Sequence, residues 1–138
     1  MPEIKDEFME FRTGRLSREE VQLIFDMLPV DITFVGKDDD VRYFNKLESR
    51  IFKRSPSVIG LKVQNCHPKK SIDKVQQILD EFRAGKREVA EFWINLKGRM
   101  VHIRYFPIYD SRGEYSGCLE VSQDITDIKK IEGEKRLL

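Results

Sequence analysis

The 138-residue sequence lacks a long hydrophobic run, a large net charge and a set of cysteines. No apolar run approaches the roughly 18 to 20 residues that a membrane-spanning helix needs. The 25 Lys and Arg residues are balanced by 24 Asp and Glu residues, so no overall field attracts nucleic acid or an anionic membrane. Two cysteines form neither a disulfide framework nor a four-ligand zinc site. The acidic N-terminus has no secretory signal pattern, and we therefore expect a cytoplasmic, single-domain protein.

The motifs of common catalytic sites are also missing. No nucleophile elbow, Gly-rich phosphate loop, His-Glu-x-x-His zinc motif or paired-carboxylate signature occurs. The acidic run Asp38–Asp40 lacks the alternating ligands, the glycine and the distal glutamate of a calcium loop, so we interpret it as a solvated turn. The sequence thus predicts neither an enzyme nor a metal site made by side chains alone.

The N-terminal part of the chain changes character at Ser17. Residues 1–16 show no sustained period, and we interpret them as a connector or a loosely held helix. Ser17 and Glu20 have the spacing of a capping box, which predicts that a helix begins there. An apolar stripe at helical spacing follows: Val21, Ile24, Phe25 and Leu28. Pro29 ends this helix.

Short strand and helix patterns alternate through the middle of the chain. β-Branched and aromatic residues predict two strands, 31–35 and 41–44, joined as a hairpin. Residues 45–53 predict a short helix with its apolar side chains turned inward. A longer helix is predicted to begin after Ser71 as its N-cap and to end before Gly85.

The last third of the chain predicts three hairpin-linked strands over 88–96, 100–109 and 115–124. Alternation in the second strand places Val101, Ile103 and Tyr105 on one face. The same period predicts that the opposite face carries four polar side chains, with Arg104 and Glu120 as a cross-strand pair: Glu91, His102, Arg104 and Glu120. A helical pattern returns from Ile125, with Ile128, Ile131 and Leu138 at coiled-coil-like spacing.

Together, these elements predict an α+β fold. Short links between the last three strands imply an antiparallel sheet, and the helices between the second and third strands must cross one face of it. The space between these helices and the sheet is where a small molecule can bind.

Several short segments, in this order and spacing, resemble the PAS domain, the sensory module of many bacterial signalling proteins. The matching segments are Val41–Asn45, Ile59–Gly60, His67–Pro68, Phe82–Gly85, Asp110–Gly113 and Asp124–Thr126. More narrowly, Leu28–Val35, Asn65–Pro68 and Phe92–Ile94 are similar to the PAS module appended to hemerythrin-like iron-binding domains in bacteria and archaea. That similarity implies an upstream hemerythrin-like domain, with this chain as the last part of a longer protein.

The resemblance also implies an architecture and a role. It implies a five-stranded antiparallel sheet of order 2-1-5-4-3, a helical flap on one face, and flanking N- and C-terminal helices. Residues 17–138 then form the PAS domain and residues 1–16 a connector. The implied function is a non-catalytic sensory domain, a homodimer in many relatives, that binds a small-molecule ligand and signals through its flanking helices. The alternative is a ligand-free module for dimerisation or protein interaction.

The candidate pocket residues lie near the predicted flap or on the predicted sheet, and Trp93 and Tyr105 also have a polar tip that a ligand or water can satisfy. The candidates are Cys66, His67, Phe92, Trp93, Ile103, Tyr105, Leu119 and Val121. The Cys66-His67-Pro68 segment also allows haem, with His67 as axial ligand and Cys66 as the second choice. Cys66 is alternatively a redox-sensitive thiol, or His67-Pro68 simply shapes the loop.

The segment Asp124-Ile125-Thr126 is the candidate signalling element. It joins the last predicted strand to the predicted C-terminal helix, and in the PAS resemblance this position carries the response out of the domain. We therefore expect a change at the pocket to reach the C-terminal segment through these three residues.

Overall fold

The computed structural model describes residues 7–138, in which two sheets and two α-helices are present. The strands and helices are β1 (Phe8–Phe11), β2 (Gly14–Ser17), α1 (Arg18–Met27), β3 (Asp31–Gly36), β4 (Val41–Phe44), α2 (Ile72–Arg83), β5 (Ala90–Leu96), β6 (Arg99–Tyr109) and β7 (Tyr115–Asp124). Short 3-10 turns lie at Pro56–Val58, Val63–Cys66, Lys69–Ser71 and Ile128–Lys130.

The main sheet has the order β4-β3-β7-β6-β5 and is antiparallel throughout. In the numbering of its own five strands this is 2-1-5-4-3, so the predicted α+β architecture is confirmed. Helix α2 and the loop before it cover one face, which we call the inner face. Phe82 of α2 and Val41 of β4 are fully buried and lie in one cluster with Val35 and Cys118. We call the opposite side the outer face.

Helix α1 begins where the capping box predicts. Ser17 Oγ accepts a hydrogen bond from the Glu20 amide at 3.0 Å, and Glu20 Oε1 accepts one from the Ser17 amide at 2.8 Å. The helix nevertheless buries none of its residues. Within the predicted stripe, Ile24 is 44% exposed and Phe25 is 38% exposed. The apolar stripe of α1 is therefore formed but only partly covered.

The segment before α1 contains a hairpin. Phe8 pairs with Ser17 and Phe11 pairs with Gly14, so within residues 8–17 the alternative of a loosely held helix is wrong. Gly14 has φ +141°, a conformation that L side chains rarely adopt, and it lets the chain reverse after only two turn residues. Residues 1–6, the rest of the predicted connector, lie outside the described part of the chain.

Two predicted helices do not form. Residues 45–53 contain turns because Lys46 has φ +56°, which interrupts a helix, and the side chain of Asn45 is fully buried instead. After β7 the described chain contains only the 3-10 turn at Ile128–Lys130, and Gly133 has φ +67°. The apolar spacing there meets no packing partner, and an isolated short helix is marginal in water.

Helix α2 has its predicted bounds, since it begins directly after its N-cap residue Ser71 and ends before Gly85. Ser71 makes no capping hydrogen bond because the 3-10 turn Lys69–Ser71 already leads the chain into the helix. At the C-terminus, Gly85 has φ +69° and donates to the Phe82 carbonyl at 3.1 Å, while Lys86 donates to the Glu81 carbonyl at 2.9 Å. This pair of bonds is a Schellman motif, which confirms Gly85 as the residue that ends the helix.

Candidate functional site

A cavity of about 20 Å³ lies between α2 and the inner face of the sheet. Its walls are almost wholly apolar. They include Val35 of β3, Val75, Ile78 and Leu79 of α2, and Tyr105 of β6. A volume of this size holds roughly one water molecule, so a larger ligand requires α2 to move away from the sheet.

His67 contacts this cavity from the loop ahead of α2. Its Nδ1 lies 2.9 Å from the Val63 carbonyl oxygen, which can only accept, so the Nδ1 proton points to Val63 and the neutral ring keeps its lone pair on Nε2. Cys66 is half-buried against the core cluster, and its thiol donates to the Lys62 carbonyl at 3.7 Å. The two neighbouring residues thus have different surroundings.

Three further predicted pocket residues share the inner face. Phe92 of β5 is opposite Ile103 of β6, and Tyr105 lies two residues further along β6 on the same face. The Phe92 and Tyr105 rings lie 5.7 Å apart between centroids. Burial and the neighbouring Glu120 carboxylate raise the pKa of Tyr105, so the phenol stays protonated in the physiological range.

Trp93, Leu119 and Val121 do not lie with the others. Leu119 is opposite Phe34 and Trp93 is opposite His102, which places all three on the outer face by alternation. Trp93 is 62% exposed there. The expectation that these three line the pocket is therefore wrong. The sequence pattern misled because β7 is covered on both faces, so that its apolar residues do not mark the inner one.

The inner face instead carries Glu120, which was predicted on the outer face as the partner of Arg104. Glu120 is opposite Tyr105 and Thr33, whereas Arg104 is opposite Val121. The actual partner of Glu120 is Arg54, at 3.3 Å between Nη2 and Oε2; Glu120 is buried and the Arg54 side chain is 12% exposed. The predicted pair is thus wrong by one residue of β7, although Glu91 and His102 do meet on the outer face at 2.7 Å.

Arg50 forms a second buried cationic site beside this pair. Its guanidinium donates to carbonyl oxygens of Ile32 and Asn45 at 3.1 and 2.9 Å and to Thr33 Oγ1 at 3.2 Å. Burial lowers the pKa of Arg50, and nearby Asp31 opposes that shift. Sequence patterns missed Arg50 and Arg54 because both lie in an irregular segment, and their side-chain partners Thr33 and Glu120 are distant along the chain.

The far end of α2 is fastened to the β3–β4 turn. Arg83 forms an ion pair with Asp39 and donates to the Lys37 carbonyl at 2.8 Å, while Tyr109 Oη donates to the Phe82 carbonyl at 2.7 Å. Asp39 is only 8% exposed, so the interpretation of Asp38–Asp40 as a wholly solvated turn is wrong at its middle residue. These bonds hold one end of the flap against the sheet.

Cys118 is not arranged as a reactive thiol. Burial raises the pKa of Cys118 to about 12, so this thiol stays protonated. Among the described residues, no group of three or more His, Cys, Asp or Glu side chains is placed to hold a metal ion. None of the helices within 7–138 is long and apolar enough to cross a membrane.

The haem alternative does not fit this site. A cavity of about 20 Å³ is far smaller than a porphyrin, and its apolar walls come from α2 and the sheet in direct contact. His67 keeps a nitrogen lone pair that could bind iron, but the space beside it is closed by Val75 and Leu79. The residues around this cavity therefore do not fit haem.

The candidate signalling residues form a compact cluster at the end of β7. Asp124 Oδ1 accepts from the Thr126 amide at 3.0 Å and from Thr126 Oγ1 at 2.6 Å, and Asp124 Oδ2 pairs with Arg99 Nε at 2.7 Å. Thr126 Oγ1 also accepts from the Met100 amide, and the Ile125 amide donates to the Met100 carbonyl. The three residues are thereby tied to the first residues of β6.

This cluster predicts a specific acid response. The hydrogen bond from Arg99, followed by those from Thr126, lowers the pKa of Asp124 to about 2. The ionised Asp124 carboxylate stabilises the folded protein fully above its ordinary pKa of 3.8, and this stabilisation is lost as the pH falls towards 2. Asp124→Asn should therefore flatten the fall in melting temperature over this interval. The control is Asp127→Asn, since Asp127 is largely exposed and its contact with Arg99 is longer, at 3.5 Å. An equal flattening in this variant would contradict the prediction.

The comparisons with known proteins agree with this architecture. The profile of the PAS domain family matches residues 21–126, and the chain belongs to that family. PAS domains are generally non-catalytic sensory modules of signal-transduction proteins. No curated protein is a significant match to the sequence.

Solved structures include one substantially similar protein. The crystal structure of a C-terminal domain from Streptococcus mutans is 36% identical, with a TM-score of 0.85 over 92% of this chain and 98% of that one. The PAS domain of BvgS from Bordetella pertussis is 22% identical, with a TM-score of 0.58 over 78% and 85% of the two chains. A sensory box sensor histidine kinase from Vibrio cholerae is 15% identical, with a TM-score of 0.56 over 79% and 91%. The last two support the fold alone.

Proposed function

We propose that this PAS domain is a sensory module that binds a small, largely apolar molecule between α2 and the inner face of the sheet. The observation that carries this proposal is the apolar cavity, closed by α2 on one side and by Tyr105 and Cys118 on the other. A ligand larger than the present volume enlarges the cavity by displacing α2. This displacement would change the surroundings of four candidate residues on the loop and the inner face of the sheet: Cys66, His67, Phe92 and Ile103.

The same strand connects the cavity to the candidate signalling cluster. β7 contributes Cys118 and Glu120 to the cavity and ends at Asp124, whose bonds reach Arg99 and Thr126. A shift of β7 relative to β6 would therefore strain these bonds. We propose that the response leaves the domain through Asp124, Ile125 and Thr126, towards whatever follows or contacts the C-terminal segment.

Filling the cavity tests the sensory proposal. Val75→Phe places a larger side chain in the lining from α2, and Lys74→Phe makes the same change at the neighbouring exposed position. A panel of small apolar compounds should raise the melting temperature of the wild type and of Lys74→Phe, and should leave that of Val75→Phe unchanged. The shifted amide resonances should lie along α2 and β7. Binding that survives Val75→Phe, or a panel that binds neither protein, would contradict the proposal.

A ligand-free interaction module is the second candidate, and the poorly covered surface of α1 favours it. Leu23, Ile24 and Met27 are 60%, 44% and 81% exposed. In this version the closed cavity is ordinary core, and α1 contacts another domain or a second copy of the chain. Association lost in Leu23→Glu, together with an empty compound panel, would support this candidate over the sensory one.

We also propose the domain context implied by the narrower sequence similarity. Residues 17–138 would be the PAS unit, residues 1–16 a connector, and a hemerythrin-like iron-binding domain would precede them in the parent protein. The resemblance of Leu28–Val35 and Asn65–Pro68 supports this, and the similar Streptococcus mutans structure is itself a C-terminal domain. Iron analysis of the protein expressed from the complete reading frame tests it.

A further inference from the structure

The two edges of the main sheet differ in how far the rest of the described chain covers their backbone groups. At the β4 edge, the Val41 amide donates to the Leu61 carbonyl at 2.9 Å and the Gly60 amide donates to the Val41 carbonyl at 2.8 Å. Asp40 and Lys62 extend this contact as an isolated bridge. The start of the β4 edge is therefore covered by the chain itself at Asp40 and Val41, and the strand is only four residues long.

The β5 edge has no such cover within the described residues. β5 is seven residues long, pairs with β6 in a continuous register and has no strand on its other side. Proteins commonly protect an edge strand with proline, lysine, a bulge or short length. The sequence Ala90–Leu96 contains no proline or lysine, and its pairing with β6 shows no bulge. A row of backbone donors and acceptors therefore faces solvent.

Large apolar side chains accompany this open edge. Phe92, Trp93 and Ile94 are consecutive, so they expose apolar surface on both faces of the sheet, at 38%, 62% and 37% respectively. Glu91 is the single charged residue of the strand. A backbone edge of this kind is satisfied by another extended strand, whose side chains must suit both faces at once.

We propose that the β5 edge pairs antiparallel with β5 of a second copy of this chain, with Trp93 on the two-fold axis. This is the one antiparallel register that pairs all seven residues. Phe92 then lies opposite Ile94 of the other copy, and Glu91 lies opposite the neutral Asn95, so like charges do not meet. Small Ala90 lies opposite the larger Leu96. The strand is thus complementary to itself in both charge and size.

The isologous use of the β5 edge, together with the partly covered and short β4 edge, explains why such an assembly stops at two copies. An isologous pair uses the same edge of both copies, and the sheet then ends at a partly covered edge on each side. The result is a continuous ten-stranded sheet rather than an open-ended stack. This inference is independent of the cavity and of α1, so it does not depend on the proposed sensory function.

Disulfide trapping tests the register. In the Cys66→Ser background, Trp93→Cys places two thiols on the two-fold axis, where opposed Cα atoms lie about 4.5–5.5 Å apart and a disulfide can form. Asn95→Cys is the control, because its copies would lie about 13 Å apart along the strands. Mild oxidation should trap the first variant as a covalent dimer and leave the second as monomer. Equal trapping of both variants, or of neither, overturns the proposed register.

Sedimentation tests the association itself. The wild type should be dimeric, and Trp93→Lys should weaken dimerisation at least about tenfold because two like charges then face each other. Met27→Lys, on the exposed side of α1, should leave the dimer unchanged. A monomeric wild type overturns the proposal, and so does a dimer that Met27→Lys disrupts and Trp93→Lys does not.

Discussion

Glu120→Ala is expected to lower the free energy of unfolding by about 3–5 kcal/mol, the usual cost of removing one partner from a buried ion pair. Glu120 lies opposite Tyr105 on the inner face, and its carboxylate is the ion-pair partner of Arg54. Without that carboxylate, the Arg54 guanidinium remains buried, and its Nε already has no hydrogen-bond partner. Arg50 adds a second cation nearby. Urea denaturation followed by circular dichroism measures the loss.

A double variant separates the buried charge from simple loss of packing. Arg54→Met with Glu120→Leu removes both charges and keeps most of the side-chain volume, so it should recover most of the stability that the single variant loses. A double variant as unstable as Glu120→Ala would show that packing, and not an uncompensated charge, causes the loss. A single variant within about 1 kcal/mol of the wild type would show that the pair is solvated.

Gly117→Ala is expected to cost about 2–5 kcal/mol, although it adds only one methyl group. Gly117 has φ +154°, and a Cβ there would overlap the Val35 carbonyl oxygen and lie 2.7 Å from Cε2 of Phe34. The unfavourable φ contributes about 1–2 kcal/mol, and overpacking in the central strands contributes about 1–3 kcal/mol more. The close contact is with backbone, so no side-chain rotation relieves it.

Gly113→Ala is the matched control for this substitution. Gly113 lies in the turn that joins β6 to β7, it has φ +79°, and a Cβ there meets no atom within 4 Å. It should therefore lose only the conformational part, about 1–2 kcal/mol. Chemical denaturation of both variants gives the difference. Equal losses would show that the contact with β3 is relieved by a small backbone shift.

The candidate site was only partly predictable, for a reason that Leu119 and Glu120 illustrate. Alternation correctly predicted that neighbouring residues of β7 lie on opposite faces, but it did not determine which set faces α2. Hydrophobicity suggested Leu119, whereas the structure turns Glu120 inward, where Arg54 compensates its charge. On β6 the same alternation placed Ile103 and Tyr105 correctly, because apolar and polar positions differ clearly there.

Local chemistry in the sequence determined the elements of this protein that depend on near neighbours. The capping box of Ser17 and Glu20, the end of α2 at Gly85 and the antiparallel pairing of the last three strands follow from spacing, turn residues and short connections. The complete order of the five-stranded sheet was implied by the resemblance to PAS domains, because the pairing of β3 with β7 joins distant parts of the chain. Tertiary structure alone decided which face of β7 is inner, that residues 45–53 wrap around buried Arg50 and that the segment after Ile125 stays non-helical. The first two depend on burial and pairing between residues far apart in the chain, and the third depends on the lack of a packing partner for the apolar residues. In each case the tertiary surroundings override local propensity.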